Sequence, residues 1–219
     1  MKLIKDGITD FLWNSLRTIQ NDPLFCNYYL AGGTALSLHI GHRISDDIDL
    51  FTKNDLQKDE IFNFVKTNIS EKVKIINNQG RIFQLFMEKE KLKIDFVQFS
   101  YDLLDPLIET EGIRLAGKND LSAMKISAAG TRGNEAKDFV DLYFLLREMP
   151  IDTMFENFKK KYKTDDILQY VRSVMFFDDI PQASWTALKP IKEIFSVKGI
   201  KEKLTQEVIG YERKILRVC

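Results

Sequence analysis

A chain of 219 residues, with 44% hydrophobic and 29% charged side chains, can bury a substantial core in one large domain or two small ones. Thirty-two basic residues balance thirty-two acidic ones, which excludes a uniformly basic surface for nucleic acid. Residues 1–115 carry 14 Lys/Arg and 17 Asp/Glu, a net of −3, and residues 116–219 carry 18 and 15, a net of +3. This asymmetry is a weak sign of a metal site beside a polyanion-binding surface, and scattered solvated charges explain it better.

Cysteine usage and hydropathy exclude several other classes of protein. Cys26 and Cys219 provide neither a disulfide framework nor metal-ligand spacing, and with only two histidines a structural zinc site is not expected. The N-terminal stretch mixes charges into its apolar positions, unlike a secretion signal, and no segment has the apolar length of a membrane span. We therefore expect a cytoplasmic protein without a membrane partner.

The first half of the chain alternates helical and strand patterns of apolar residues. The expected elements are helix, strand, helix, strand, helix and β-hairpin, over residues 8–20, 27–33, 34–40, 47–51, 56–69 and 81–99. This order predicts an α/β (α+β) domain in which a small mixed sheet is flanked by helices.

From about Asn119 onwards the apolar spacing becomes helical. The clearest helical segments are residues 120–130, 135–149 and 165–177, and the expected helix boundaries are Pro150, Pro181 and Pro190. We therefore predict two domains, a mixed-sheet domain over residues 1–115 and an all-helical one over residues 116–219.

Two aspartates of the predicted strand DIDLF point to a metal site. Asp47 and Asp49 are two residues apart and share one face of a strand, whereas Ile48 and Asp46 fall on the other face. Neighbouring carboxylates repel each other unless a cation lies between them, and Mg²⁺ prefers few protein carboxylates together with phosphate oxygens. Arg43, just before them, is positioned to pair with phosphate, or with Asp46 or Asp47 as a local ion pair.

A third carboxylate, Asp95, lies in the middle of the otherwise apolar strand KLKIDFV. If that strand neighbours the Asp47–Asp49 strand, three carboxylates meet and a pair of metal ions can be held. The alternative is an outward-facing Asp95 that is paired with Lys91 or Lys93.

A glycine turn precedes the first helix-like segment after the predicted strand. Gly32 and Gly33 allow a ligand to approach the backbone closely, and the N-terminus of the following helix attracts phosphate. Thr34 adds a hydroxyl donor. The simpler interpretation is a tight turn in which Thr34 caps the helix.

Residues 32–51, GGTALSLHIGHRISDDIDLF, resemble the signature of the AbiEii/AbiGii-type toxin nucleotidyltransferases, members of the DNA polymerase β-like nucleotidyltransferase superfamily. Residues 120–146, DLSAMKISAAGTRGNEAKDFVDLYFLL, resemble a second signature block of the same family. The resemblance runs from about Leu30 to Leu146. It implies a mixed-sheet nucleotidyltransferase core followed by a helical half.

The resemblance also implies roles for particular residues. The metal carboxylates fall on Asp47 and Asp49, with Asp95 as the third, and these three are the expected catalytic carboxylates of the sheet domain. The phosphate-binding element falls on Gly32, Gly33 and Thr34, where threonine replaces the serine of the wider superfamily.

The second block places five charged residues at family positions: Lys125, Arg132, Lys137, Asp138 and Asp141. Lys125 and Asp138 are expected at the catalytic site, and Lys137 is expected to bind nucleotide, as is Arg43. Lys137 and Asp141 are four residues apart on a helix and also fit a surface ion pair.

The function implied is the transfer of a nucleoside monophosphate from an NTP to an acceptor with Mg²⁺ or Mn²⁺, the acceptor being RNA such as the 3′ end of tRNA. Family members are typically toxins of toxin–antitoxin or phage-defence systems, so an antitoxin protein is an expected partner. The alternatives are a protein or small-molecule acceptor, or a non-catalytic nucleotide- or partner-binding module of the same fold. Lys159 to Lys163 fit contacts to an RNA backbone or a solvated helix end.

Overall fold

The computed structural model describes residues 2–191 and 195–218, so Cys219 lies outside the described residues. The chain divides into two compact units, residues 1–117 and 118–219. The boundary expected from the sequence stands two residues earlier, after residue 115.

The first unit is built around a mixed β-sheet. Its helices are α1 (Asp10–Gln20), α2 (Gly32–Ile40) and α3 (Lys58–Asn68), with a 3₁₀ turn at Pro23–Phe25. Its strands are β1 (Tyr29–Ala31), β2 (Asp47–Thr52), β3 (Val73–Asn77), β4 (Ile82–Met87), β5 (Leu92–Gln98), β6 (Ile108–Thr110) and β7 (Ile113–Leu115). They form a sheet in the order β3-β4-β5-β2-β1-β7-β6. The β2–β5 and β1–β7 pairs are parallel and the other pairs are antiparallel.

Helix α1 follows the predicted pattern closely. It begins after Thr9, whose hydroxyl accepts a hydrogen bond from the Leu12 N–H at 3.1 Å. Its apolar stripe of Leu12, Leu16 and Ile19 is buried. Helical spacing of apolar residues therefore predicted this element because one face packs on the core.

The two central strands, β2 and β5, each bury one face. Ile48 and Leu50 of β2, and Ile94 and Phe96 of β5, are fully buried. The Phe96 ring lies 5.7 Å from that of Phe25, which in turn lies 5.0 Å from the Phe64 ring of α3. Helix α3 therefore covers this face of the sheet, and the opposite face of β2 and β5 carries the polar side chains.

Three strands were not predicted from the sequence. Strands β6 and β7 have three residues each, too few for a periodic pattern to be recognised. Strand β3 lies at the edge of the sheet, and its pairing with β4 shifts register between Ile75 and Asn77. This irregularity breaks the two-residue alternation by which a strand is recognised.

The second unit is helical throughout its described part. It contains α4 (Lys118–Thr131), α5 (Ala136–Leu145), α6 (Ile151–Tyr162), α7 (Leu168–Ser173), α8 (Gln182–Thr186) and α9 (Val197–Val218). Pro150 and Pro181 precede α6 and α8 as predicted, whereas Pro190 borders no helix among the residues described. The predicted helix over residues 165–177 was too long, because α7 spans only six of them.

Helix α4 is continuous through Gly130. A β-carbon at Gly130 would lie 2.2 Å from Cδ1 of the Tyr170 ring in α7. Glycine is therefore required by packing at this position, because only its bare backbone admits the aromatic ring.

A buried ion pair joins α4 to α6. Nζ of Lys161 lies 2.6 Å from Oδ1 of Asp120, and both side chains are fully buried. The interpretation of Lys159–Lys163 as a solvated or RNA-facing helix end is therefore wrong for Lys161. Nearby, the Asn157 amide donates to Ser122 Oγ at 3.1 Å, so the interface of the two helices is polar as well as apolar.

We expect Lys161→Met to lower the free energy of unfolding by about 3–5 kcal/mol, because it leaves the Asp120 carboxylate buried without its cation. Lys160→Met is the matched control: Lys160 is exposed on the same helical turn, and its loss should change the free energy by no more than about 0.5 kcal/mol. Urea unfolding followed by circular dichroism measures both. Equal effects of the two substitutions would show that the buried pair does not stabilise the unit.

Candidate active site

The polar face of the two central strands gathers three carboxylates. Strand β2 pairs with β5 in parallel, with Asp47 opposite Lys93 and Asp49 opposite Asp95. Because alternate residues share a face, Asp47, Asp49 and Asp95 project on one side, while Ile48 is fully buried on the other. The predicted adjacency of the two strands is confirmed. Asp46 precedes β2 and is exposed, so it lies outside the strand and does not join the Asp47–Asp49 pair.

Lys93 lies between two of these carboxylates. Its Nζ is 3.0 Å from Oδ2 of Asp95 and 3.8 Å from Oδ2 of Asp47. The same Asp95 oxygen accepts a hydrogen bond of 2.9 Å from Nε2 of Gln84 on β4. The ion pair with a nearby lysine, which the alternative interpretation of Asp95 proposed, is therefore confirmed for Lys93. Asp95 also lies beside Asp49 on the same face of the sheet.

The environment keeps Lys93 charged. Partial burial lowers the pKa of its ammonium, but the negative charges of Asp47 and Asp95, the hydrogen bond to Asp95 and the charge of Asp49 together raise that pKa above its ordinary value. Lys93 is thus a permanent cation at neutral pH.

Asp95 has one satisfied and one unsatisfied carboxylate oxygen. Oδ2 has the two donors already named, whereas Oδ1 is buried and has no hydrogen-bond partner within the described part of the chain. A buried carboxylate oxygen without a donor is costly. It is the kind of atom that a cation stabilises.

The glycine pair is shaped around Asp49 and Arg43. Gly32 has a φ of 68°, and a β-carbon there would lie 2.0 Å from Oδ2 of Asp49. A β-carbon on Gly33 would lie 2.3 Å from Nη2 of Arg43. The turn therefore lets the Asp49 carboxylate and the Arg43 guanidinium approach the start of α2, a requirement that the sequence alone did not reveal.

Thr34 connects the start of α2 to the start of β2. Its buried hydroxyl donates to the carbonyl oxygen of Asp47 and shares a 2.8 Å hydrogen bond with the Ser45 hydroxyl. The predicted role as a helix cap is wrong, because the N-cap residue is Ala31, whose side chain has no acceptor. In this arrangement Thr34 supports the strand that carries the Asp47–Asp49 pair, and the hydroxyl points away from solvent.

Arg43 is buried at 3% exposure and donates from Nη1 to the carbonyl of Ile44 at 2.9 Å. Its guanidinium lies against the first turn of α2, where the helix dipole and the backbone N–H groups favour an anion. Its predicted contact with nucleotide phosphate stays a prediction.

The donor set fits one divalent cation held by two protein carboxylates. Across residues 2–191 and 195–218, no group of three or more His, Cys, Asp and Glu is arranged to hold a metal ion. Asp47 and Asp49, with phosphate oxygens completing the coordination, match the preference of Mg²⁺ for few protein ligands. The unsatisfied Asp95 Oδ1 adds an oxygen in need of a cation. Ligation by Asp95 itself stays a prediction, since Lys93 now holds its other oxygen.

The charged residues of the second sequence block form a cluster within the helical unit. Nζ of Lys125 lies 2.8 Å from Oδ1 of Asp138 and 2.6 Å from Oδ2 of Asp141, and Nη2 of Arg132 lies 2.9 Å from Oδ2 of Asp138. Two cations thus face two carboxylates. Asp141 is fully buried and its Oδ2 pairs with Lys125, so it does not lie at the surface as the alternative interpretation assumed. Its pairing with Lys137 stays a prediction. Lys137 is half-buried on α5.

Sequence comparisons identify a family and a relative of this chain. The family described as "Nucleotidyl transferase AbiEii toxin, Type IV TA system" matches residues 15–193. An uncharacterised protein of Aquifex aeolicus (strain VF5) is 34% identical over 195 residues, which is 82% of this chain and 89% of that protein.

Two solved structures share the fold. MenT4, a nucleotidyltransferase toxin of Mycobacterium tuberculosis H37Rv, matches with a TM-score of 0.60 and 13% identity over 90% of this chain and 81% of its own. An H. pylori protein described as a nucleotidyltransferase matches with a TM-score of 0.57 and 17% identity over 95% of both chains. The predicted α/β fold with its mixed sheet and flanking helices is confirmed. Among the described residues, no helix combines the length and apolarity that a membrane span requires.

We expect Gly32→Ala to destabilise the protein more than Gly80→Ala does. Both glycines have a positive φ, 68° and 53°, so alanine costs about 1–2 kcal/mol of backbone strain at either position. Only at Gly32 would the new methyl group also meet the Asp49 carboxylate; at Gly80 no heavy atom of the described residues lies within 4 Å of it. The overlap should add about 1–3 kcal/mol.

Chemical unfolding of the two variants measures this difference. Equal losses would mean that the Asp49 carboxylate does not depend on the bare backbone of Gly32.

Proposed function

Since the chain belongs to the AbiEii family of nucleotidyltransferase toxins, we propose that it transfers a nucleoside monophosphate from an NTP to the 3′ hydroxyl of an RNA, such as tRNA. The observation that carries this proposal is the β2–β5 register. It sets Asp47, Asp49 and Asp95 on one face of the sheet, beside the glycine-led start of α2. The enzyme is a nucleotidyltransferase by family, and the acceptor and the metal are the proposed parts.

Asp47 and Asp49 are the proposed holders of Mg²⁺ or Mn²⁺. Bound there, the metal would neutralise the triphosphate and polarise the reacting phosphoryl group. The two strand residues are rigid, because Ile48 between them is anchored in the core and the Thr34 hydroxyl holds the Asp47 carbonyl. Rigid ligands are the arrangement that metal-assisted phosphoryl transfer requires.

The first turn of α2 is the proposed phosphate-binding element. Gly32 and Gly33 leave the backbone of this turn uncovered by side chains of their own, and backbone N–H groups at a helix N-terminus favour anions. Arg43, close to Gly33, adds a positive charge next to that turn. The Arg43 guanidinium would stabilise a phosphate bound at this turn, because it adds to the positive potential of the helix N-terminus.

Asp95 is the proposed acceptor of the proton from the attacking hydroxyl, or a further ligand of the metal. Among the described residues, its Oδ1 is the one carboxylate oxygen of β2 and β5 that is buried without a hydrogen-bond partner. Lys125 and Asp138 stay proposed catalytic residues. Since Lys125 is held by two carboxylates, its charge there is largely compensated.

In the cell, the proposed role is that of the toxin of a two-gene system, acting in the cytoplasm. The family is that of Type IV toxin–antitoxin systems, which implies a cognate antitoxin. Nucleotide addition to the end of tRNA would block aminoacylation and so arrest growth.

The first test uses purified protein, each of the four labelled NTPs, Mg²⁺ or Mn²⁺, and total RNA or protein extract as acceptor. Asp47→Asn and Asp49→Asn should each lower the labelling rate by about 10²–10³-fold, because the lost charge stabilises the transition state. Asp46→Asn is the matched control, since Asp46 is an exposed neighbour that lies outside the strand, and it should leave the rate within about twofold. Wild-type labelling no higher than that of Asp49→Asn with every nucleotide and acceptor would refute the transferase assignment.

The second test asks which acceptor is used. Periodate oxidation of the RNA destroys its terminal 2′,3′-diol, so treated tRNA should accept no label while untreated tRNA does. Label that appears in a protein band and is insensitive to periodate treatment of the RNA would favour the protein-acceptor alternative.

A further inference from the structure

Lys93 lies where a metal ion would be expected to lie. Its Nζ contacts carboxylates on two neighbouring strands, Asp95 at 3.0 Å and Asp47 at 3.8 Å. The parallel register sets Lys93 directly opposite Asp47, so the contact across the strands follows from the sheet itself. Lys93 is part of neither the Asp47–Asp49 pair nor the Gly32–Gly33 turn.

Lys93 neutralises part of the negative charge of the cluster. Asp47, Asp49 and Asp95 contribute three negative charges, Lys93 contributes one positive charge, and the Arg43 guanidinium lies close by at Gly33. Without Lys93 the cluster would carry one more negative charge and would attract cations more strongly.

The cluster is only partly exposed, so these charges interact strongly. The exposed fraction of the side chain is 28% for Lys93 and 12% for Asp95. Reduced access of water lowers the local dielectric and strengthens both the attraction of Lys93 to the carboxylates and its repulsion of a second cation.

From these contacts we propose that Lys93 is a built-in counter-ion of the carboxylate cluster, which occupies Oδ2 of Asp95 and lowers the affinity of the nucleotide-free protein for divalent cations. This rests on the proposed function in one respect, the use of Asp47 and Asp49 as the metal site. Lys93 acts through the aspartates and is therefore a positioning residue. When its ammonium moves aside, Oδ2 of Asp95 keeps the hydrogen bond from Gln84, and the carboxylate becomes a stronger acceptor for the metal or for the attacking hydroxyl.

The consequence is a coupling between metal and nucleotide. A free protein that binds metal weakly takes up its metal together with the triphosphate, which brings further negative charge to the cluster. The affinity of the nucleotide-free protein for metal is therefore the property that Lys93 changes most directly.

Titration of the full-length, nucleotide-free protein with Mn²⁺, by calorimetry and by electron paramagnetic resonance of the unbound ion, tests this inference. Lys93→Met should bind Mn²⁺ at least about tenfold more tightly than wild type, because a unit positive charge close to the site is removed. Lys93→Arg, which keeps the charge, and Lys89→Met, which removes an exposed lysine from the neighbouring β4–β5 turn, should stay within about threefold of wild type.

Lys93→Gln is the second variant, because it removes the charge while keeping a hydrogen-bond donor for Asp95; it should bind as tightly as Lys93→Met. Circular dichroism and thermal melting establish which variants are folded. Should Lys93→Met fail to fold, Lys93→Gln decides, and a Mn²⁺-dependent rise in its melting temperature larger than that of wild type supports the inference.

Affinities of both neutral variants equal to or weaker than that of wild type overturn the role of Lys93. That result is distinct from failure of the proposed function, which is shown by equal labelling of acceptors by wild type and Asp49→Asn. A protein that transfers nucleotide in an Asp49-dependent way, and whose Mn²⁺ affinity ignores Lys93, would refute this inference alone.

Discussion

The parallel pairing of β2 with β5 is the constraint on which the candidate site depends. Its register sets Asp49 beside Asp95 and Asp47 beside Lys93, and it sends Ile48 and the other apolar residues of both strands into the core on the opposite face. A slip of one residue would exchange the two faces, burying the carboxylates and exposing the isoleucines. The hydrophobic effect that stabilises the sheet therefore also fixes the positions of the charged groups.

The start of α2 is adapted to the strand that carries the Asp47–Asp49 pair. Gly32 and Gly33 give way to Asp49 and Arg43, and Thr34 holds the backbone of Asp47. These residues make the helix terminus and the strand one rigid unit. A shift of the helix would move the Asp47–Asp49 pair with it, so the Gly32–Gly33 turn and the two carboxylates keep their spacing. Preorganisation of this kind is what electrostatic catalysis requires.

Much of this arrangement follows from sequence patterns, and the rest fails for identifiable reasons. Period-two alternation predicted β2 and the β4–β5 hairpin, because each long strand has one buried and one polar face. The short strands β6 and β7 lack enough residues to show a period, and the bulge in β3 breaks it.

Side-chain partners were harder to predict than elements. The sequence predicts that Asp49 lies beside Asp95 only if β2 and β5 are neighbours. The order of strands in a sheet depends on non-local contacts, which a pattern along the chain does not record. The buried pairs of Lys161 with Asp120 and of Lys125 with Asp141 went unrecognised because, in sequence, a lysine on a helix looks solvated. Only packing shows that it carries its counter-charge into the core.

The bulge in β3 has a consequence for how the protein behaves in solution. An edge strand offers a row of unpaired backbone donors and acceptors to any other extended chain, and β3 also exposes the apolar side chains of Ile75 and Ile76, at 46% and 52%. The register shift interrupts that row between Ile75 and Asn77, and the charged Lys74 stands next to it. An incoming strand therefore meets a ladder that cannot be continued for more than a few residues, which protects a sheet with an apolar rim from growing into an aggregate.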